Sequence, residues 1–597
     1  MRTLSKFLLF FAFLYCIVSC TGNKSIDIND EKYITYYEKH NYNETPRYKE
    51  TIEYSKMLAD ESPMVNYKSI GISPQGRDIP LLIVDKNGYT SPKKIRDAGR
   101  VIILAEASIH SGEPDGKDAG LMFIRDIALF DKYPGILDNV SLIFIPLFNV
   151  DGHEDFGAHY RINQNGPIEV GARFTAQRYN LNRDFIKGDA PEMRAFLNLY
   201  AEWMPELFID FHVTNGADFQ YVSTYGLDQC GFLTPNMLAW SQNIFERQLL
   251  DRMAADNFPI FPYFTMRQIP DFGVGILPDN FPPQYSNGYA SANNRLGLLV
   301  ENHIYKSYKE RVDVSYLYFK HSMEILGENA KDLAAEVKKA DELAASSEFR
   351  RDSVALMYVH DMKTSVPTEY LAWKDTTVIS DLSGGKWTYY DYNTPVTLTY
   401  PLFTSYAPTA VVKVPEAYII PSEQLKAIEM LDIHGLEYYR LQEDREIEVE
   451  SYLFKDTEWA RNVNEGHITL TTDYDTKVEK IRYHKGDVIV PTSQPKVKIV
   501  LHLFEPKSPT SLVFWGYFIN YMRAPNEFYI RLNYMEIKGR EMLAEDPELK
   551  KEFEDKKATD PAFAKDPNAI LQFFMTKVRE SVGLGVNRYP VGRIMHE

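Results

Sequence analysis

Four unbroken apolar runs, at 101–105, 141–148, 206–211 and 296–300, constrain this chain more than any other feature. A strand that is apolar at every position, rather than at alternate ones, is covered on both faces. Stretches with helical spacing, 118–130 and 191–203, lie between the first and second runs and before the third. Strand and helix therefore alternate, which predicts an α/β fold with a mixed, mostly doubly wound central sheet covered by helices. Ahead of it, 67–85 reads as a hairpin, with the turn-rich Ser73-Pro74-Gln75-Gly76 between its halves.

At 597 residues the chain exceeds what one hydrophobic core organises. An Ala/Glu/Lys-rich helix at 316–346 closes the α/β pattern. Short Val/Thr/Tyr-rich strands follow at 396–400, 447–453, 467–472, 487–490 and 496–503, with an amphipathic helix at 422–434 and a helical tail at 533–583. The divisions expected are a leader at 1–20, a lead segment at 21–65, an α/β domain at 66–345, and a β-rich C-terminal domain with terminal helices at 346–597. The last carries no motif that assigns it a role, and a structural brace or an interaction module are both open to it.

A net charge of −17 repels polyanions on average, and no basic stripe offsets it, so nucleic acid is excluded as a partner. At the N-terminus Arg2 and Lys6 precede a short apolar run at 7–18, then Ser19 and Cys20. That order reads as a secretory leader, and Cys following a small residue resembles the lipid-modification site of bacterial lipoproteins. The expectation is export across the inner membrane and a lipid anchor on Cys20, in the periplasm or at the outer membrane surface. Of three cysteines only Cys230 lies beyond this leader, so any metal must be held by histidines and carboxylates.

Ligands of open α/β sheets gather at the carboxyl ends of the strands. Here the first run leads into Ile109-His110-Ser111-Gly112-Glu113, the third ends in Asp210-Phe211-His212 and the fourth in Glu301-Asn302-His303. His110 and Glu113, three apart with a glycine between them, can turn toward one ion, and His212 supplies a second nitrogen. Two imidazoles and one carboxylate suit a single Zn²⁺ with a further position left for water.

The residues around this set resemble the zinc carboxypeptidases of the carboxypeptidase A type. Besides His110-x-x-Glu113 and the distant His212, the chain has Asn149-Val150-Asp151-Gly152, Tyr160-Arg161-Ile162-Asn163, Tyr179-Asn180-Leu181-Asn182-Arg183-Asp184 and Leu299-Val300-Glu301, in the family's order. The resemblance spans about 65–320. It implies that Glu301 is the general base, that Arg161 stabilises the oxyanion and that Asn182 and Arg183 hold a substrate's terminal carboxylate. It also implies a substrate-contacting tyrosine, for which Tyr289 is favoured over Tyr285. The chain departs from the family in placing Asn180 where an aspartate often orients a zinc-binding histidine, and Gly112 where an arginine is common.

Together these readings point to a zinc-dependent exopeptidase acting on peptides with a free C-terminal carboxylate. Two other readings stand beside it: an amide hydrolase for peptidoglycan stem peptides or acylated amino acids, and a zinc-free surface binding protein. Nothing in the sequence speaks to oligomeric state.

Overall fold

The computed structural model describes residues 30–216, 218–264, 275–522, 531–581 and 587–596. The leader and its Cys20 lie outside them. Eight strands form the central sheet: β1 (Val65–Ile72), β2 (Asp78–Val84), β3 (Val101–Ala107), β4 (Val140–Ile145), β5 (Leu207–Thr214), β6 (Ser223–Gly226), β7 (Phe261–Pro262) and β8 (Leu296–His303). Their order across the sheet is β1-β2-β4-β3-β5-β8-β6-β7. The four middle strands, β4-β3-β5-β8, run parallel, and the edges add antiparallel pairs.

Every residue of β3, β4 and β5 is buried, and successive side chains enter opposite cores. Ile102 and Leu104 belong to one apolar cluster, while Val101, Ile103 and Ala105 belong to the other. This two-period split is why the runs are apolar throughout. One face carries α1 (Tyr48–Glu61), α2 (Asp115–Ala128) and α5 (Tyr308–Glu328), the last started by a capping box between Ser307 and Glu310. The other carries α3 (Pro191–Trp203) and α4 (Ser286–Ala292). A Cβ on Gly116 would stand 2.4 Å from Phe211 Cγ, and one on Gly120 2.4 Å from Phe144 Cζ. Glycine at both places lets α2 settle directly on the sheet, which fixes the loop that leads into it.

The 316–346 helix is in fact two, α5 and α6 (Ala330–Ala345), separated at Asn329. Beyond them come two antiparallel pairs, Ser353–His360 with Tyr406–Lys413 and Val366–Ile379 with Lys386–Leu402, and a six-stranded sheet that includes Arg445–Trp459 and Leu470–Tyr483. The strand expected at 496–503 is a helix, α8 (Val497–Phe504), preceded by α7 (Leu425–Ile433). All eight residues of α8 are buried, so it has no polar face to reveal its period, and a short β-branched run then looks the same in either conformation. The tail is helical, with Asp546 and Asp560 capping helices that begin Pro547 and Pro561.

The apolar cluster under α3 and α4 does not stop at residue 345. Phe196, Tyr200 and Tyr289 share it with Tyr418, Ile420, Met430, Val500 and Leu501. Polar ties reinforce the contact: Lys498 Nζ donates to Phe232 O at 2.6 Å, and His467 Nε2 lies 2.7 Å from Asp189 Oδ2.

Candidate metal centre and cleft

Beyond β3, Ser108 takes φ +59°, and the chain turns through His110 to Glu113, whose N–H donates to His110 O at 2.9 Å. His212 sits inside β5, which is flanked directly by β3 and β8. One potential ligand atom from each of His110, Glu113 and His212 lies within 4.8 Å of the others. His212 Nδ1 is 3.2 Å from His110 Nδ1 and 3.1 Å from Glu113 Oε2. All three side chains are buried.

The outer ring nitrogens are engaged elsewhere, which leaves each Nδ1 facing the common point. His110 Nε2 is 3.0 Å from Asn180 Oδ1, and His212 Nε2 is 2.6 Å from Asp210 Oδ2. An amide oxygen thus does for His110 what a carboxylate often does, by accepting from Nε2–H and fixing the tautomer. Asp210 does this for His212. Its role was hidden in the sequence because it stands on the same apolar strand. Two imidazole nitrogens and a carboxylate held this way fit one zinc ion.

The electrostatics of the metal-free chain follow from burial and from these partners. Burial pushes His110 down to about 4. Burial acts the same way on His212, but Asp210 overrides it and holds the ring well above its ordinary range. Glu113 is held well below its ordinary range despite burial, chiefly by Arg161 and then by His110.

Glu301 and His212 are direct partners in the parallel β8–β5 pairing, so their side chains leave the sheet on one face. Burial pushes Glu301 up to about 8, Glu113 and Asp210 adding to the effect while His212 and Arg173 oppose it. The four residues open into a cleft of about 700 Å³ together with Arg161, Arg173, Asn182, Arg183 and Tyr285. Arg183 lies over the Tyr285 ring, 4.4 Å from its centroid, and donates to Asn182 O at 2.6 Å. The Asn182 amide is 3.0 Å from His212 Nε2.

One placement differs from expectation, and the surroundings of Arg161 bring in a second cation. Tyr289 is 1% exposed and packs among Phe185 and Tyr200, with its hydroxyl 2.8 Å from His434 Nδ1. It is a core residue and does not reach the cleft. Tyr285 does, because it precedes the helix on which Tyr289 turns inward. Arg161 lines the cleft, but its bonds go to Glu113 Oε1 at 2.7 Å, Val213 O at 2.8 Å and Gln164 Oε1 at 2.6 Å. A Cβ on Gly112 would stand 2.5 Å from Arg161 Cδ, so the missing side chain at 112 is what admits the Arg161 stem. Arg173, which no motif marks, is the more open cation, 3.4 Å from Glu113 Oε1 with its side chain 39% exposed.

The remaining motif residues brace the scaffold. Asp151 accepts from Ser73 Oγ, from the Gln75 N–H and from Arg77, which ties the hairpin turn to the end of β4. His153 is buried beside Lys117, His159 stacks on Tyr160, and His303 packs edge-on against Phe219. The second half adds Met357, Pro509 and Phe514 to the cleft wall. Sequence reading had no way to bring these three to the site, since each is an ordinary apolar residue far along the chain.

Residues 51–225 match the family model for zinc carboxypeptidase. Carboxypeptidase 2 of Trichophyton rubrum is 20% identical over 491 residues, covering 79% of this chain and 84% of that protein. Carboxypeptidase 2 of Trichophyton equinum is 20% identical over 495 residues, with the same coverage. Carboxypeptidase A of Helicoverpa armigera, a solved structure, aligns with 16% identity and a TM-score of 0.36 over 50% of this chain and 75% of that one. The family match falls on the segment that carries His110, Glu113, Asn182, Arg183 and His212, and Glu301 lies beyond it on the neighbouring strand. The match assigns residues 51–225 to the zinc carboxypeptidase family.

Proposed function

We propose that this chain is a zinc-dependent exopeptidase that hydrolyses the last peptide bond of peptides with a free C-terminal carboxylate. The observation that carries the reading is the single cleft holding His110, Glu113, His212 and Glu301 beside Asn182 and Arg183. Zinc held by the three ligands would polarise the scissile carbonyl and lower the pKa of a water molecule. Arg183, with its fork of donors steadied on Tyr285, takes the terminal carboxylate, and Asn182 adds a hydrogen bond. Glu301 takes the proton from the attacking water and returns it to the departing amine. Arg173 meets the charge that develops on the carbonyl oxygen, and Arg161 shares that duty while holding Glu113. Because the clamp needs a chain end, cleavage is confined to the terminus.

The test is digestion of matched peptides with free and amidated C-termini, with and without chelator, read by mass. Single residues should leave only the free-ended peptides, and only with metal present. Glu301→Gln should keep one zinc per chain while kcat falls by about 10²–10⁴-fold. Internal cleavage, or equal rates on both kinds of end, would overturn the reading. Export and a lipid anchor at Cys20 are part of the same proposal, supported by the 7–18 apolar run and Ser19-Cys20. The mass of the N-terminal peptide from the native cell envelope tests them.

A further inference from the structure

On the far side of Tyr263 from the metal cleft lies a second cavity, of about 570 Å³. It sits between the β6–β7 edge of the central sheet and two strands of the second half, Val366–Ile379 and Lys386–Leu402. These strands supply Leu371 and Leu402 to its wall. Tyr263 and Asp279 are the described residues that the two cavities share. Their chemistry otherwise differs. The cleft gathers Arg161, Arg173 and Arg183, whereas among the described residues no lysine, arginine or histidine lines the second cavity. His360 stands behind its wall, donating to Pro278 O at 2.8 Å while burial lowers its pKa.

Glu246 gives this cavity its character. Its Oε1 accepts from the Tyr225 hydroxyl at 2.7 Å and from Gln229 Nε2 at 3.0 Å. Oε2 accepts from the same Gln229 nitrogen at 3.1 Å, and Gln229 is itself held by Gln242. These donors are neutral, and burial pushes the Glu246 carboxyl up with no cation opposing it. A carboxylate taken from water without a counter-charge is unfavourable, and a ligand that brings one offsets the cost. Asp279 and Glu369 line the same space, and the Tyr406 hydroxyl feels Asp279 and Glu246 together.

Two further observations mark a built site. Rings of Tyr221, Tyr225, Phe261, Tyr263 and Tyr406 line the wall, with Tyr221 and Phe261 stacked 5.2 Å apart. Aromatic rings attract cations, most strongly where water is excluded. The helical segment that carries Glu246 also changes its winding to place it. Between Pro235–Trp240 and Arg247–Ala255, the stretch Ser241–Glu246 is π-wound and ends on that residue. A π turn holds more residues than an α turn, which redirects the side chains that follow, and such turns recur at functional sites.

We propose that this cavity is a second ligand site, for an organic amine with an apolar body whose ammonium pairs with Glu246. The rings hold the body, and Leu371 and Leu402 close it from the second half. A neutral ligand leaves the carboxylate without a counter-charge, and an anionic one meets Glu246, Asp279 and Glu369. The site asks nothing of zinc, of Arg183 or of peptide hydrolysis. It therefore stands or falls apart from the exopeptidase reading.

The experiment is calorimetry on the full zinc-loaded chain with two ligands that share an indole body, tryptamine and its alcohol analogue tryptophol. Tryptamine should bind at least about tenfold more tightly, the worth of a hydrogen bond to a charged group. Glu246→Gln should lower tryptamine affinity by about tenfold and leave that of tryptophol unchanged. Leu371→Trp, which fills the cavity from the second half, should abolish binding of both. Arg183→Ala should leave tryptamine affinity as it is. No binding of tryptamine, tryptophol matching it, or full tryptamine affinity in Glu246→Gln would each overturn the inference. Loss in Arg183→Ala with retention in Leu371→Trp would put the amine in the metal cleft and overturn it as well.

Discussion

Asp210 shows how one residue two positions from a ligand sets the behaviour of the centre. Its carboxylate, 2.6 Å from His212 Nε2, both aims the ring and keeps a proton on it in the metal-free chain. Asp210→Ala should therefore weaken zinc binding about 10–100-fold, read by competition with a chelator of known affinity. Protonation has a second consequence. Glu301 keeps its proton up to about 8, against an ordinary value of 4.5. Between those values the folded, metal-free chain binds a proton that the unfolded chain has released, so stability falls as pH rises. His212, raised above 6.5, acts in the same direction over that part of the window. His110, pushed down to about 4, acts oppositely, but only between about 4 and 6.5. The Tm of the chelated protein should therefore decline from pH 6.5 to 8, and Glu301→Gln should make the decline shallower. A Tm that rises over this range would contradict the assignment.

At the scale of elements, α4 separates two tyrosines that the sequence places four apart. Tyr285 precedes the helix and faces the cleft, while Tyr289 is one turn on, inside the core against His434. Tyr289→Phe removes one buried hydroxyl contact and should cost about 1 kcal/mol of stability with kcat/KM unchanged, measured by denaturant unfolding and peptide turnover. A drop in turnover with stability intact would return Tyr289 to the site. The α8 helix teaches a related lesson. Its sequence Val497-Lys498-Ile499-Val500-Leu501-His502-Leu503-Phe504 has strand composition, but full burial against the first half removes the amphipathic signal that would have marked a helix.

Across the whole molecule, the two halves are joined by one apolar cluster, and the second half walls the cleft with Met357, Pro509 and Phe514. Ile276 and Phe219 also form β-bridges to Leu402 and Ala372. A fragment of residues 30–345 would expose the α3/α4 face that Tyr418, Val500 and Leu501 cover. It should melt without a cooperative transition and aggregate, whereas the full chain melts sharply, as circular dichroism would show. A fragment that folds cooperatively and keeps full turnover would show the second half to be dispensable.

The amino-acid sequence by itself determined the strands of the central sheet and the ligand set. Continuous apolar runs specify strands buried on both faces, and strand ends in such a sheet are where ligands gather, so His110, Glu113, His212 and Glu301 could be named from spacing and order. Tertiary structure alone decided everything that depends on which side chains meet. It gave Asp210 and Asn180 to the outer ring nitrogens, turned Tyr289 inward and Tyr285 outward, fitted Arg161 over Gly112, and brought Arg173 and the distant Phe514 to the cleft. The physical reason is range. Periodicity and turn chemistry act over a few residues, whereas burial, hydrogen-bond partnership and charge pairing are set by neighbours that the fold brings together from far along the chain.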